Sequence, residues 1–268
     1  PAASVIASSG WSITGDATPP AGAARRTALP CPAMDAPGIP GNEAARLLAL
    51  RSYAVLDTQA EAAFDDLARL AAHVAGTPIA LVSLVDADRQ WFKARYGLDA
   101  PETPRDVSFC GHAVIAERML IVNDAHADAR FADNPLVTGE PRVRFYAGMP
   151  LRTPDGFVLG TVCAIDHVAR QLSAGQLDML AVIAAQVVDQ LEARRGRLAL
   201  AREREEARAA TDRLATVFAA MAEGVVVQDA TGQIRDANPA AEAILGLTGD
   251  ELRGRSSIDP RWHTVHED

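Results

Sequence analysis

The feature that most constrains this chain is a helical pattern of about fifty residues that begins at Ser173 and runs to Met221. Globular helices average about a dozen residues, so a run of this length needs a partner along much of its surface. Apolar and small residues recur at Leu177, Leu180, Ala184, Val187, Leu191, Leu198 and Ala201, in alternating steps of three and four. That spacing is the seam of a two-stranded coiled coil, with Arg194 as one polar interruption. A second seam, Leu200, Ala207, Ala210, Leu214, Val217 and Met221, is displaced by two positions from the first. The heptad therefore breaks between Gly196 and Ala201, where glycine also lowers helix propensity. The pattern predicts a parallel homodimer through the 173–221 helix, joined at 177–191 and weakest at 194–210.

Before this helix the period changes along the chain. Residues 1–41 are rich in Ala, Pro, Gly, Ser and Thr without a sustained period, and are expected to form a disordered leader. Two helices are predicted next. The first is capped by Asn42 and carries Leu47, Leu48, Leu50 and Tyr53 on its apolar face; the second carries Phe64, Leu67, Leu70, Ala71 and Val74 and stops at Gly76. "PIALVSLVD" and "QWFKARYG" read as a hairpin joined by "ADR", and "MLIVND" as a short strand. "RVRFYAGMPLRT" and "FVLGTVCAID" flank the turn signal "PDG" and suit central antiparallel strands. After the long helix, "GVVVQDATGQIRDANPAAEAILGLTGDELRGR" reads as strand, turn, strand and short helices.

Composition narrows the function classes. The net charge is −9, and the arginines between Arg194 and Arg213 alternate with glutamates, so no basic face for nucleic acid is expected. Apolar runs such as "IALVSLV" and "MLAVIAA" fall far short of the roughly 18 residues of a membrane span, and no membrane partner is expected. Three widely spaced cysteines, Cys31, Cys110 and Cys163, form no disulfide framework or CxxC pair, so reduced thiols in the cytoplasm are the expectation.

The stretches "ALVSLVDADRQWFKARYGLDAPETPRDVSFCGHAV", "VNDAHADARFADNPLV", "RFYAGMPLRTPDGFVLGTVCAID" and "LSAGQLDMLAVIAAQVVDQLE" together resemble a GAF domain of bacterial signalling proteins. "GVVVQDATGQIRDANPAAEAILG" and "LTGDELRGR" resemble the first half of a PAS domain, whose closing strands are not in this sequence. The resemblance implies an α/β (α+β) fold with a central antiparallel sheet, helices on one face, and a pocket on the other covered by loops. It implies this organisation: leader 1–41, GAF domain 42–191, coiled-coil signalling linker 192–213 and partial PAS domain 214–268. It also implies a sensor that dimerises by its terminal helices and acts on a downstream output domain, a histidine kinase or a cyclic-di-GMP cyclase or phosphodiesterase. No motif of such an output domain is present in this segment, so no enzyme activity is expected of it.

"SFCGHAV", residues 108–114, admits several chemistries. A thiol nucleophile at Cys110 needs His112 as its base. Some GAF domains reduce free methionine sulfoxide, but with closely spaced cysteines, whereas Cys110 and Cys163 are far apart in sequence although they could meet in space. In phytochrome-like GAF domains a bilin-linked cysteine is followed directly by histidine; here Gly111 intervenes. A metal needs three or four ligands, and only Cys110, His112 and His126 offer themselves, while His263 and His266 read as a solvated loop. The packing reading is preferred: Ser108 caps a helix whose Phe109, Cys110, Ala113 and Val114 face the pocket wall, and Cys163 is core. By the resemblance, the pocket is covered by this helix and the loop "DAHADARFADNP", with Phe109, Cys110, His112, Asp124, Arg130, Phe131, Asn134 and Tyr146 as candidate lining residues and Asp133 beside them. No cofactor is identified, and an unknown small-molecule ligand is the expectation. The competing reading is that the polar residues of this loop only tie it to the body.

Overall fold

A computed structural model of the chain describes residues 36–255. Most of the expected leader, with Cys31, and the segment carrying His263 and His266 lie outside the described residues. The elements in order are α1 (Glu43–Ser52), α2 (Ala62–Ala75), β1 (Ile79–Val85), β2 (Arg89–Tyr96), β3 (Glu102–Pro104), α3 (Phe109–Ala116), β4 (Leu120–Val122) and α4 (Pro135–Thr138). They continue with β5 (Phe145–Arg152), β6 (Val158–Asp166), α5 (Ala174–Ala220), β7 (Val226–Gln228), β8 (Ile234–Ala237), α6 (Pro239–Leu245) and α7 (Gly249–Leu252).

Strands β1 to β6 form one antiparallel sheet in the order β3-β2-β1-β6-β5-β4. Its two central strands, β1 and β6, are buried at every residue, which explains their largely apolar sequences, with Ser83 and Thr161 as polar exceptions turned toward α3. Both faces are covered. Ala80, Val82 and Leu84 of β1, with Phe145 and Ala147 of β5, pack under α1, α2 and α5. Ile79, Leu81 and Val85 of β1, with Tyr146 of β5 and Cys163 and Ile165 of β6, pack under α3 and its loops. This is the expected α/β arrangement: an antiparallel sheet with helices on one face and a smaller layer on the other. The turn after β5 is the expected one, with Gly156 at φ 89°. The edge strand β3 escaped the sequence reading because "ETP" carries no strand pattern and ends in a residue tolerated only at an edge.

The hairpin β1–β2 contains a bulge. Val82 pairs with Ala94 and Ser83 with Phe92, so Lys93 has no partner opposite it. Its fully buried ammonium donates to Thr58 Oγ1 (2.9 Å), the Gln59 carbonyl (2.8 Å) and Glu61 Oε1 (2.7 Å). Glu61 also pairs with Arg194 of α5, closing the helix-side layer at its rim.

Two details of α1 differ from expectation. Asn42 stands at the N-cap position but its side chain makes no capping hydrogen bond. Leu48 points to solvent at 67% exposure, while Leu50 and Tyr53 are buried, because the helix turns only a narrow stripe to the sheet.

The long helix forms as one element of 47 residues, opened by a capping box in which Ser173 and Gln176 exchange side-chain-to-backbone bonds. Its first seam, however, is already occupied. Leu180, Ala184, Val187 and Leu191 are buried in the domain's own core, with Ile183 and Val188 beside them. The spacing at 177–191 is thus accounted for within the domain and by itself carries nothing for the dimer contact expected there: a three-four apolar spacing does not distinguish a partner helix from the helix's own sheet and α2. Beyond Gly196 the helix leaves the body, and Leu200, Leu214, Val217 and Met221 of the second seam are exposed. It leads into the hairpin β7–β8, where the buried Asn238 accepts from the Val225 and Ala241 amides (2.8 and 2.9 Å) and so joins the hairpin to α6.

Candidate functional site

The sheet face under α3 encloses a cavity of about 410 Å³. Its floor is Leu81, Phe92, Tyr146 and Ile165 of the sheet; Phe109 and Cys110 of α3 close one side. Leu98, Asp99 and Thr103 before and on β3, and Leu136, Glu140 and Val143 around α4, form the mouth. Among the lining residues none is basic; the charged ones are Asp99 and Glu140. A larger depression beside Arg69, His73 and Tyr96 is open and as polar as it is apolar, without the enclosure that ligand burial needs.

Helix α3 is fixed at its start. Ser108 Oγ accepts from the Gly111 amide (2.9 Å) and donates to Gln90 Oε1 (2.5 Å) on β2. Gln90 in turn donates to Thr103 Oγ1 (2.6 Å) on β3. Gly111 lies under Pro37, where a Cβ would come within 2.8 Å of the proline ring, so the segment before α1 straps the helix down. Cys110 is thereby pointed at the sheet.

There it meets a polar cluster in an otherwise apolar layer. Cys110 Sγ accepts from Thr161 Oγ1 (3.1 Å) and Tyr146 Oη (3.3 Å), and lies 4.0 Å from Cys163 Sγ. Tyr146 reaches across its own strand because residue 148 is glycine: a Cβ there would stand 2.1 Å from the phenol oxygen. Burial pushes the Cys110 thiol up, but hydrogen bonding from Cys163, Thr161 and Tyr146 outweighs it and the net direction is downward. Ser83 closes no hydrogen bond of its own by distance and angle, yet its buried hydroxyl adds to the polarity this sulfur feels. Cys163 moves the opposite way, raised by its contact with Cys110 and by burial. Tyr146 is raised by burial and by the neighbouring sulfurs, so it is a donor and not an anion.

Of the eight candidate residues, Phe109, Cys110 and Tyr146 line the cavity. Phe131 stacks behind Phe109 at 4.0 Å, and His112 meets the Phe131 ring edge-on at 4.9 Å. Arg130 lies over the Phe131 ring and bonds Asp128 (2.9 and 2.6 Å). Asp124 is held low by its pairing with Arg144, just before β5. Asn134 caps α4 and donates to the Val107 carbonyl (3.0 Å). The loop 123–135 is thus clipped to the body, and the mouth is built by segments 97–103 and 136–143 instead. Gln90, Phe92 and Thr103 were missed. The alternation of β2 placed Gln90 and Phe92 on one face, but which face could not be read before the sheet's layers were known. Cys110, His112 and His126 do not gather into a metal site: among the described residues no group of three or more His, Cys, Asp or Glu could hold an ion. No described helix is long and apolar enough to cross a membrane.

Comparison with known proteins gives two family matches. Residues 59–191 match the GAF domain family and residues 212–268 match a PAS domain family. The chain is 44% identical over 137 residues to a cyclic di-GMP phosphodiesterase of Pseudomonas aeruginosa, an alignment covering 51% of this chain and 23% of the relative. The chain thus spans about a quarter of that relative's length. Similar solved structures include the GAF domain of an Acinetobacter phosphoenolpyruvate-protein phosphotransferase (16% identity, 55% of this chain and 93% of that one, TM-score 0.41). The free methionine-R-sulfoxide reductase of Neisseria meningitidis is another (19% identity, 61% and 99% covered, TM-score 0.42). A third is the blue-light-absorbing form of the Thermosynechococcus elongatus PixJ GAF domain (19%, 55% and 90%, TM-score 0.43). With the sheet, the long helix and both family matches in register, the chain carries a GAF domain over residues 59–191 followed by a PAS-family segment over 212–268.

Proposed function

We propose that this chain is the sensory input region of a larger bacterial signalling protein, in which the cavity binds a small molecule and α5 carries its effect to the PAS segment and an output domain. The observation that carries this reading is the two-sidedness of β5. Tyr146 faces the cavity while its neighbours Phe145 and Ala147 face α5, so a ligand that moves β5 moves the seat of the helix. The lining defines the ligand class. Apolar walls with Gln90 and Thr103 as polar handles, and Asp99 and Glu140 without a basic residue, favour a neutral or cationic organic molecule and disfavour phosphates. The similarity to a cyclic di-GMP phosphodiesterase supports cyclic di-GMP turnover as the output.

The second part of the proposal is the dimer. The stretch of α5 beyond Gly196 is almost wholly exposed among the described residues, and helices in proteins draw most of their stability from packing an apolar face. Leu200, Leu214, Val217 and Met221 therefore pair with a second copy, in parallel, downstream of the region first expected. Cysteines introduced at 214, 217 and 221 should crosslink copies, and cysteines at 180 or 187 should not. Crosslinking at the buried positions, or a monomer at micromolar concentration, would reverse this. For the ligand, native mass spectrometry of freshly purified protein should find a retained molecule that Leu81→Trp, filling the cavity, expels. A Leu81→Trp protein that folds and still carries the molecule would place the binding site elsewhere.

A further inference from the structure

Two cysteines separated by 53 residues in sequence have their sulfurs 4.0 Å apart, on the two sides of one packing layer. A disulfide needs about 2.05 Å, so each sulfur has to move only about 1 Å, within the reach of a small χ1 adjustment. Cys110 is on α3, Cys163 on the central strand β6, and Cys110 is part of the cavity wall. The sulfurs are buried, yet the cavity gives a molecule a few atoms in size a path to one of them and not the other. The pair is also unequal. Tyr146 and Thr161 both reach Cys110 Sγ, and donors directed at sulfur favour its thiolate, the nucleophilic form. An apolar layer gains nothing from hydroxyls at Tyr146 and Thr161 unless something there accepts from them.

We propose that Cys110 and Cys163 are a reversible dithiol–disulfide pair, oxidised by a small hydroperoxide that arrives through the cavity, with Cys110 attacking and Cys163 resolving. The Cys110 thiolate attacks the terminal peroxide oxygen; the S–O bond forms, the O–O bond breaks, and the leaving oxygen takes a proton to depart as water or an alcohol. The Cys163 sulfur then displaces the hydroxyl of the sulfenic acid. The S–S bond forms, the S–O bond breaks, and the hydroxyl leaves as water with the Cys163 proton. The two thiols lose two electrons, the peroxide gains them, and an external dithiol reverses the change. The product staples α3 to the sheet at the cavity wall, so the oxidation state sets how far the pocket can open. The inference rests on the cavity as a path and holds whether or not an organic ligand binds there.

The test treats the full chain, with Cys31→Ser as background, with stoichiometric hydrogen peroxide, alkylates it, and maps its peptides without reduction. The expected result is a mass loss of two hydrogens, a crosslinked peptide pair containing Cys110 and Cys163, and full return with dithiothreitol. Tyr146→Phe and, separately, Thr161→Val should slow the reaction by about tenfold, the weight of one hydrogen bond to a charged sulfur. Unchanged circular dichroism in either variant shows that the loss is local. The idea fails if both thiols stay reduced in the folded protein and join only after denaturation. It fails equally if free methionine sulfoxide oxidises the pair and peroxide does not, which would make the site a sulfoxide reductase.

Discussion

Along β1, Ala80, Val82 and Leu84 look toward the helices while Ile79, Leu81, Ser83 and Val85 look toward α3, and the two sides of the sheet are built to different standards. The helix side is a continuous apolar layer under α1, α2 and α5, edged by polar contacts such as Lys93–Glu61–Arg194 and Tyr53–Glu192. The α3 side contains a cavity, a sulfur cluster and a buried hydroxyl without a hydrogen-bond partner. Dense packing makes the first side the source of stability. The second gives up contacts and so keeps room to respond.

Equal deletions on the two sides should therefore cost unequal amounts. Leu180→Ala, on α5 over the helix-side core, should lose about 4 kcal/mol in urea unfolding, toward the upper end for such cuts in a close-packed site. Leu81→Ala removes the same atoms from the cavity floor, where contacts are already missing on one side, and should lose about 2 kcal/mol. Equal losses would show that the cavity is filled by something that packs like protein. Cys110→Ala should cost about 1 kcal/mol, since Tyr146 and Thr161 then satisfy each other across 3.3 Å.

The smallest effect concerns the tie between the two layers. Glu43 of α1 pairs with Arg46 and with Arg105, which precedes α3. Burial opposes the ionised form, but the two guanidinium groups hold the carboxyl at about 2 against an ordinary 4.5. Its folded value is depressed, so its contribution is complete above pH 4.5 and is lost as the pH falls toward 2. Screening by the solvent it still sees leaves this under about 1 kcal/mol. Urea unfolding at pH 6 and pH 3 should reveal a drop that is smaller in Glu43→Gln; an identical drop would remove the pair from the account.

Much of the fold was legible because it is written in local chemistry. The hairpin β1–β2, the "PDG" turn, the Ser108 cap and the length of α5 all follow from periodicity and turn residues within a few positions. The site was less legible. Phe109, Cys110 and Tyr146 could be named, but the loop 123–135 was given a lining role that segments 97–103 and 136–143 fill. Which loop reaches over a cavity depends on where the sheet's edges fall, and a three-residue edge strand such as β3 leaves almost no mark on the sequence.

By itself, then, the sequence determined the main helices and strands and that the chain resembles a sensor. Only the tertiary structure decided what those segments face. The seam Leu180, Ala184, Val187 and Leu191 has the period of a helix pair, yet it is filled by the domain's own core, because burial on a sheet and burial on a second copy select the same spacing. Cys110 and Cys163 carry no pairing signal at all, since their contact depends on strand register and on α3 crossing β6, and neither is encoded within reach of either residue.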